Sequence, residues 1–222
     1  MKAFRTLILA LGLVATLPLT ASAQEGRHFD DSWFWGVKGG TMTFWTSRVQ
    51  HQPAPIVGAE WLITRRRAAL LISGEQSFFE EQSSIFDPTA PAQSRTVNIK
   101  DMRRASFTLL GFPEGMMGHR FVGIRPYAGL GFSWSFIQEA VGVGVPTGTA
   151  EGDSILARIE DVKSAGAPHL MVGAQGQFRR VVLFGQGTMM WSHKRFLLNN
   201  NESYILEGGV RINFGSSIER PD

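Results

Sequence analysis

The chain has 222 residues, with 22 basic and 19 acidic side chains for a formal net charge of +3, no cysteine, 25 glycines and 11% aromatic residues. The lack of cysteine excludes a disulfide framework, a thiolate metal site, a catalytic thiol and a lipoprotein anchor. The small net charge gives no basis for nucleic-acid binding or for a polybasic membrane-surface patch.

The N-terminus is the first element. Lys2 and Arg5 precede an apolar run from Leu7 to Leu19, and Ala21-Ser22-Ala23 offers a small-x-small cleavage site. These are the three parts of a secretory signal, so residues 1–23 are predicted to be removed, leaving Gln24 first. The run is too short for a membrane anchor, since a spanning helix needs about 20 apolar residues. Removing 23 residues from 222 leaves 199, which suit one domain, 24–222. Losing Lys2 and Arg5 takes the net charge from +3 to +1. No later stretch approaches a spanning helix, so a membrane location requires a closed barrel, in which every backbone group is paired.

Period-two alternation marks strands with two unlike faces. It is clearest over 127–136, where Tyr127, Gly129, Gly131, Ser133 and Ser135 share one face and Ala128, Leu130, Phe132, Trp134 and Phe136 the other. The last strand repeats it, with Tyr204, Leu206, Gly208, Val210, Ile212 and Phe214 alternating with Ile205, Glu207, Gly209, Arg211 and Asn213. Segments 32–45, 55–65, 68–79, 100–112, 168–178 and 181–192 fit the same template, giving eight strands. The first is blurred by Gly39 and Gly40. Arg65-Arg66-Arg67, Arg179-Arg180 and a stretch through Pro113-Glu114-Gly115 make shorter connections, whereas 46–54, 80–99, 137–167 and 193–203 read as longer polar loops. Short turns at one end and long loops at the other are the asymmetry of an outer-membrane barrel. Within the longest loop, Ile155, Leu156, Ile159 and Val162 have helical spacing. They predict either a short helix over the barrel mouth or an extension of the neighbouring strands.

With both termini on the periplasmic side, Trp45, Trp134, Trp191 and Tyr204 fall near outer strand ends, and Trp33, Trp35, Trp61, Phe112, Phe178 and Phe214 near inner ones. Two aromatic belts are expected at the lipid–water boundaries.

Several stretches resemble the outer-membrane β-barrel family of OmpA/OmpX type. They are Trp35-Gly36-Val37-Lys38-Gly39-Gly40, Arg125-Pro126-Tyr127-Ala128-Gly129-Leu130-Gly131 and Gly208-Gly209-Val210-Arg211-Ile212-Asn213-Phe214. The resemblance implies an all-β fold, a single eight-stranded antiparallel up-and-down transmembrane β-barrel after a cleaved signal peptide. It also implies recognition by the barrel-assembly machinery through a terminal aromatic, matched by Phe214, although Gly215 to Asp222 come after it. Resistance of the folded barrel to SDS until boiling is a further family property.

Charge assigns the faces. Turning the apolar face to lipid leaves Lys38, Glu60, Glu75, Arg104, Glu207 and Arg211 in the lumen, with Tyr127, Gln175, Gln177 and Gln186. Three cations and three anions can neutralise one another, and eight strands enclose a space about wide enough to be filled by side chains. The expectation is a plugged barrel held by an ion-pair network. Catalysis is not expected: Ser192-His193 is the sole adjacent pair of its kind, and neighbours on a strand point to opposite faces. His28, His51, His119 and His169 lack metal-site spacing. Gly142 to Gly148 lacks the lysine of a phosphate loop, and no cofactor is expected. The leading function is a non-enzymatic outer-membrane protein, a monomer in contact with lipid whose loops meet an unnamed surface ligand. A narrow channel, a lipid-modifying enzyme and a soluble periplasmic lipocalin-like carrier are alternatives. The carrier would invert the faces, turning Phe132, Trp134 and Leu206 inward.

Overall fold

The computed structural model describes residues 31–49, 52–65, 67–90, 93–113, 124–178, 180–191, 196–198 and 202–216. The predicted signal peptide, Ser192-His193, three of the histidines (His28, His51 and His119) and the tail beyond residue 216 lie outside them.

Eight strands close into one antiparallel barrel in sequence order: β1 (Ser32–Phe44), β2 (Gln52–Arg65), β3 (Ala68–Phe86), β4 (Ser94–Gly111), β5 (Ile124–Gly142), β6 (Ser164–Phe178), β7 (Val181–Met190) and β8 (Ser203–Ser216). A helix, α1 (Ala150–Val162), stands between β5 and β6. The ladder of β1 with β8 closes the ring, running from Ser32↔Ser216 to Thr43↔Tyr204. The glycines that blur β1 in the sequence therefore do not interrupt its pairing.

Burial follows the alternation. On β8, Ile205, Glu207, Arg211 and Asn213 are buried while Tyr204, Leu206, Val210 and Phe214 are exposed. On β5, Tyr127, Ser133 and Ser135 point inward and Leu130, Phe132, Trp134 and Phe136 outward. The apolar face is the outer face, and the inversion a soluble carrier would need is absent.

The strands are longer than the sequence alternation suggests. Residues 80–99, expected as a loop, are mostly the paired ends of β3 and β4 around a turn. Strand β5 runs on to Gly142, beyond the predicted end at 136. The cause is a bulge: Phe78 and Phe79 oppose Asp101, which takes φ of 51°. A bulge inserts an extra residue and shifts the facing of the strand beyond it. Arg104 and Met102 are inward below it, Ile99 and Val97 above it, so a continuous period-two reading fails there. Above the bulge β3–β5 form a three-stranded extension, because β2 leaves β3 after Ser77 and β6 leaves β5 after Phe136.

The predicted helix also forms, so both expectations for residues 137–167 hold together. Thr149 caps it: the residue is extended, and its Oγ1 accepts a hydrogen bond from the Gly152 amide at 3.1 Å. Glu151 and Asp153 in the first turn complement the helix dipole. Ile155, Ile159 and Val162 form the buried face.

Candidate functional site: a filled lumen beneath an apolar cap

The lumen holds one connected polar network. Lys38 of β1 is its hub, with Nζ donating to Glu75 and, at 3.0 Å, to Glu207, and lying 3.8 Å from Glu60. Arg104 binds Glu75, and Arg211 binds Glu60. All six ionised side chains are buried. Gln186 links Glu207 (3.1 Å) to the Tyr127 hydroxyl (3.0 Å), and Arg211 Nη1 donates to Gln175 at 2.7 Å. The Arg211 guanidinium also lies 3.7 Å from the centre of the Phe184 ring, an attractive cation–π contact.

Inward glycines make room for these side chains. A Cβ at Gly36 would stand 2.8 Å from Arg211 Cγ, and one at Gly58 would stand 2.7 Å from Glu75 Cγ. The same motif that carries the family resemblance, Trp35 to Gly40, thus provides both the hub cation and the space beside it.

A second polar group lines the opposite wall. His169 of β6 makes a hydrogen bond at each ring nitrogen, Nε2 lying 2.8 Å from the Thr108 hydroxyl and Nδ1 2.7 Å from the Ser133 hydroxyl. Ser73 joins Glu75 at 2.8 Å and Ser106 at 2.7 Å. The sequence reading weighed His169 only as a metal ligand and left it out of the lumen, although its parity with Gln175 on β6 was the available signal. Neither ring nitrogen of His169 reaches a carboxylate, and both are occupied by hydroxyls. A base of this kind lacks the orienting acid of a hydrolytic triad. Among the described residues there is no group of three His, Asp or Glu side chains able to hold a metal.

Above the network the lining changes from polar to apolar. Met42, Phe44, Ile56, Ile99, Met102 and Ile137 of the barrel pack with Ile155, Ile159 and Val162 of α1. Phe196, Leu197 and Leu198 join them, fixed by the Ser83 hydroxyl donating to the Leu197 carbonyl at 2.7 Å. The helix therefore sits on the barrel mouth as a stopper.

Arg95 fastens this cap from outside. Its Nε donates to Asp87 at 2.5 Å and its Nη2 to Glu151 of α1 at 2.5 Å. Asp87 also accepts from the Thr89 hydroxyl at 2.6 Å and from the Thr89 and Ala90 amides. These bonds, the Thr89 hydroxyl first and Arg95 next, hold its carboxyl far below the ordinary carboxylate range.

The aromatic residues separate into outward and inward sets. Trp33 and Trp35 flank Trp61, edge-on at 5.5 Å and stacked at 5.4 Å, at the turn-rich end of the wall. Trp134, Trp191, Tyr204 and Phe214 are exposed on the wall. Trp45 differs from expectation: it is 8% exposed and set edge-on to Tyr204. Phe112 differs too, packing inside against Tyr127 at 5.9 Å. Trp45 lies just past the end of β1, where alternation no longer fixes direction, whereas Phe112 keeps the inward parity of Arg104 and Leu110 on β4.

No protein-family model matches the sequence, and no curated protein matches it. Among solved structures, Neisserial surface protein A is similar with a TM-score of 0.53 at 9% identity, over 82% of this chain and 97% of that one. The N-terminal barrel domain of Pseudomonas aeruginosa OprF is also found, with a TM-score of 0.45 at 11% identity over 86% of this chain and 100% of that one. Ail, the attachment invasion locus protein of Yersinia pestis, gives 0.45 at 7% identity over 84% and 100%. Identities this low speak for the fold alone, which is that of the OmpA/OmpX-type eight-stranded outer-membrane barrels.

Proposed function

We propose that this chain is a non-enzymatic outer-membrane protein in which a sealed barrel carries an exterior head, formed by the β3–β5 extension and α1, for contact with a partner at the cell surface. The observation that carries this reading is the double closure of the interior. Six mutually neutralised charges fill the middle, and an apolar stopper fills the mouth. A diffusion pore needs a continuous wet path, and neither layer offers one.

The membrane location is supported by the outer wall, where Val37, Leu109, Leu130, Trp134 and Leu206 are all about half exposed or more. Exposed apolar surface on this scale aggregates a soluble protein, whereas it suits lipid. The tryptophans at the turn-rich end, with Trp134, Trp191 and Tyr204 toward the other, fit interfacial belts. Phe214 fits the terminal aromatic used by the assembly machinery. A role in surface contact is supported by the head, which leaves Phe86, Val141, Val143 and Leu156 exposed.

Fractionation tests the location and bilayer conductance tests the seal. The mature chain is expected in the outer-membrane fraction, with heat-modifiable migration in SDS. It is expected to give no stepwise current in a planar bilayer. Recovery in the soluble periplasmic fraction would sink the membrane reading, and regular conductance steps would sink the sealed one.

A further inference from the structure

Two buried donors at the top of the polar network end on sulfur. Arg104 turns Nε and Nη2 to Glu75, but its Nη1 points away from the network and meets the Met190 Sδ at 3.2 Å. The Ser77 hydroxyl meets the Met42 Sδ at 3.8 Å. A thioether is a weak acceptor, and both Arg104 and Ser77 are more than nine-tenths buried. Glu75 pairs with Arg104 and Ser77 with Met102 in the β3–β4 ladder, so Ser77 and Arg104 are diagonal neighbours on one inward face. Met42, Met102 and Met190 belong to the apolar cluster above them. The floor of the barrel mouth thus offers two poorly matched donors beneath a layer of hydrocarbon and thioether.

The helix that fills this mouth is fastened unevenly. Its C-terminal end passes into β6 through Lys163, whose carbonyl accepts from the Ile137 amide at 2.9 Å. Its N-terminal end hangs on residues 143–149, in which Gly144 and Gly148 take left-handed φ values of 68° and 69°. Val143 is still tied to Thr96 at 2.9 Å. Beyond it, among the described residues, the polar contacts that hold this end to β4 go through Arg95, which reaches Glu151 at 2.5 Å and the Gly144 carbonyl at 3.4 Å. The Arg95 and Glu151 side chains are 24% and 46% exposed, and an exposed pair is weak. The remaining hold on α1 is apolar contact through Ile155, Ile159 and Val162, which has no direction and which another apolar group can replace.

We propose that the barrel mouth is a binding site for a long-chain fatty acid, with α1 as its lid, hinged at Lys163 and latched by Arg95. The carboxylate takes the donors of Arg104 Nη1 and Ser77 in place of the two sulfurs. The alkyl chain replaces Ile155 and Ile159 against Ile99, Met102 and Ile137. An apolar chamber with a few convergent polar groups is the usual form of a small-molecule site, and a carboxylate is a far better acceptor for a guanidinium than a thioether. The ion pairs below stay in place, so the site is a blind pocket that breaches no seal. It lies beyond the surface-contact role of the head and does not depend on a partner there.

The test uses the full mature chain refolded in phospholipid vesicles, with dodecanoate carrying a terminal diazirine as the probe. Light fixes the probe where it lies, and peptide mapping reads the position. Probe dissolved in the bilayer marks the outward Leu109, Leu130 and Leu206, whereas probe in the mouth marks inward residues such as Ile99 and Met102. Inward label is expected. E151Q, which opens the latch, should raise it about two- to fivefold, and S77A should lower it about fivefold, the worth of one hydrogen bond. The chain has no cysteine, so R95C/E151C can be bridged by a short bismaleimide without side reaction. The bridged chain should lose the inward label and keep the outward one. Label confined to the outward wall overturns the site. Undiminished inward label in the bridged chain overturns the lid. Equal inward label from the matching diazirine alcohol, or undiminished label in S77A, overturns the placing of a carboxylate. The bridge acts on the head alone, so it decides the question even where S77A loses heat-modifiable migration.

Discussion

The interior of the barrel has two halves built on opposite principles. In the middle, Lys38, Glu60, Glu75, Arg104, Glu207 and Arg211 fill the space with paired charge and hydrogen bonds. At the mouth, Phe44, Ile99, Ile155 and Ile159 fill it with hydrocarbon. The middle is specific and intolerant, since removal of one charge strands its partner in a low-dielectric space. The mouth is adaptable, since hydrophobic contact is non-directional and can repack. The contrast implies that damage to the middle reaches the whole barrel, whereas damage to the mouth stays in the head.

The largest expected effect comes from the hub. Lys38→Met leaves the carboxylates of Glu75, Glu207 and Glu60 with one cation fewer and should cost about 3–5 kcal/mol. Urea unfolding in detergent, monitored by heat-modifiable migration, measures it. Adding Glu207→Gln should return part of the loss, and strictly additive effects would show that the two residues do not act together. Ile159→Ala should cost about 3 kcal/mol by opening a cavity. Here the loss should appear as faster hydrogen exchange in α1 and the β3–β5 extension, with SDS resistance retained. Loss of SDS resistance would erase the distinction between the halves.

Gly36→Ala sharpens the comparison with a smaller effect of about 1–3 kcal/mol, the usual penalty of overpacking. Its Cβ crowds Arg211 and Glu60, so the unfolding midpoint should fall without a change in the head's exchange rates.

The smallest effect concerns pH. Because the folded Asp87 carboxyl is depressed, its contribution is present above the ordinary carboxylate value of about 4 and is lost as pH falls through the depressed value. Exchange or proteolysis of the 87–95 turn should quicken on acidification, and Asp87→Asn should remove that pH dependence.

The middle of the barrel was legible in the sequence because each strand there keeps strict alternation. Once the apolar face is given to lipid, Lys38 and Arg211 can only point inward. The head was not legible, for a physical reason. Residues 80–84 are polar on both faces because water, not lipid, surrounds the extension, and the bulge at Asp101 resets the facing of β4. His169 was missed because its partners, Thr108 and Ser133, are fixed by the register between strands, which composition does not encode. Trp45 and Phe112 were assigned to the belts by their place near strand ends; Trp45 turns inward one residue past β1, and the parity of Arg104 already pointed Phe112 inward.

The position of the charged hub has a bearing on assembly. Lys38 to Glu207 and Arg211 to Glu60 both span the junction of the first and last strands. A sheet with β1 and β8 still apart would hold two separated, poorly solvated pairs of ions, and docking of the final strand extinguishes both at once. The seam is consequently the place where a half-made cylinder is least tolerable, and zipping it shut is an all-or-none event.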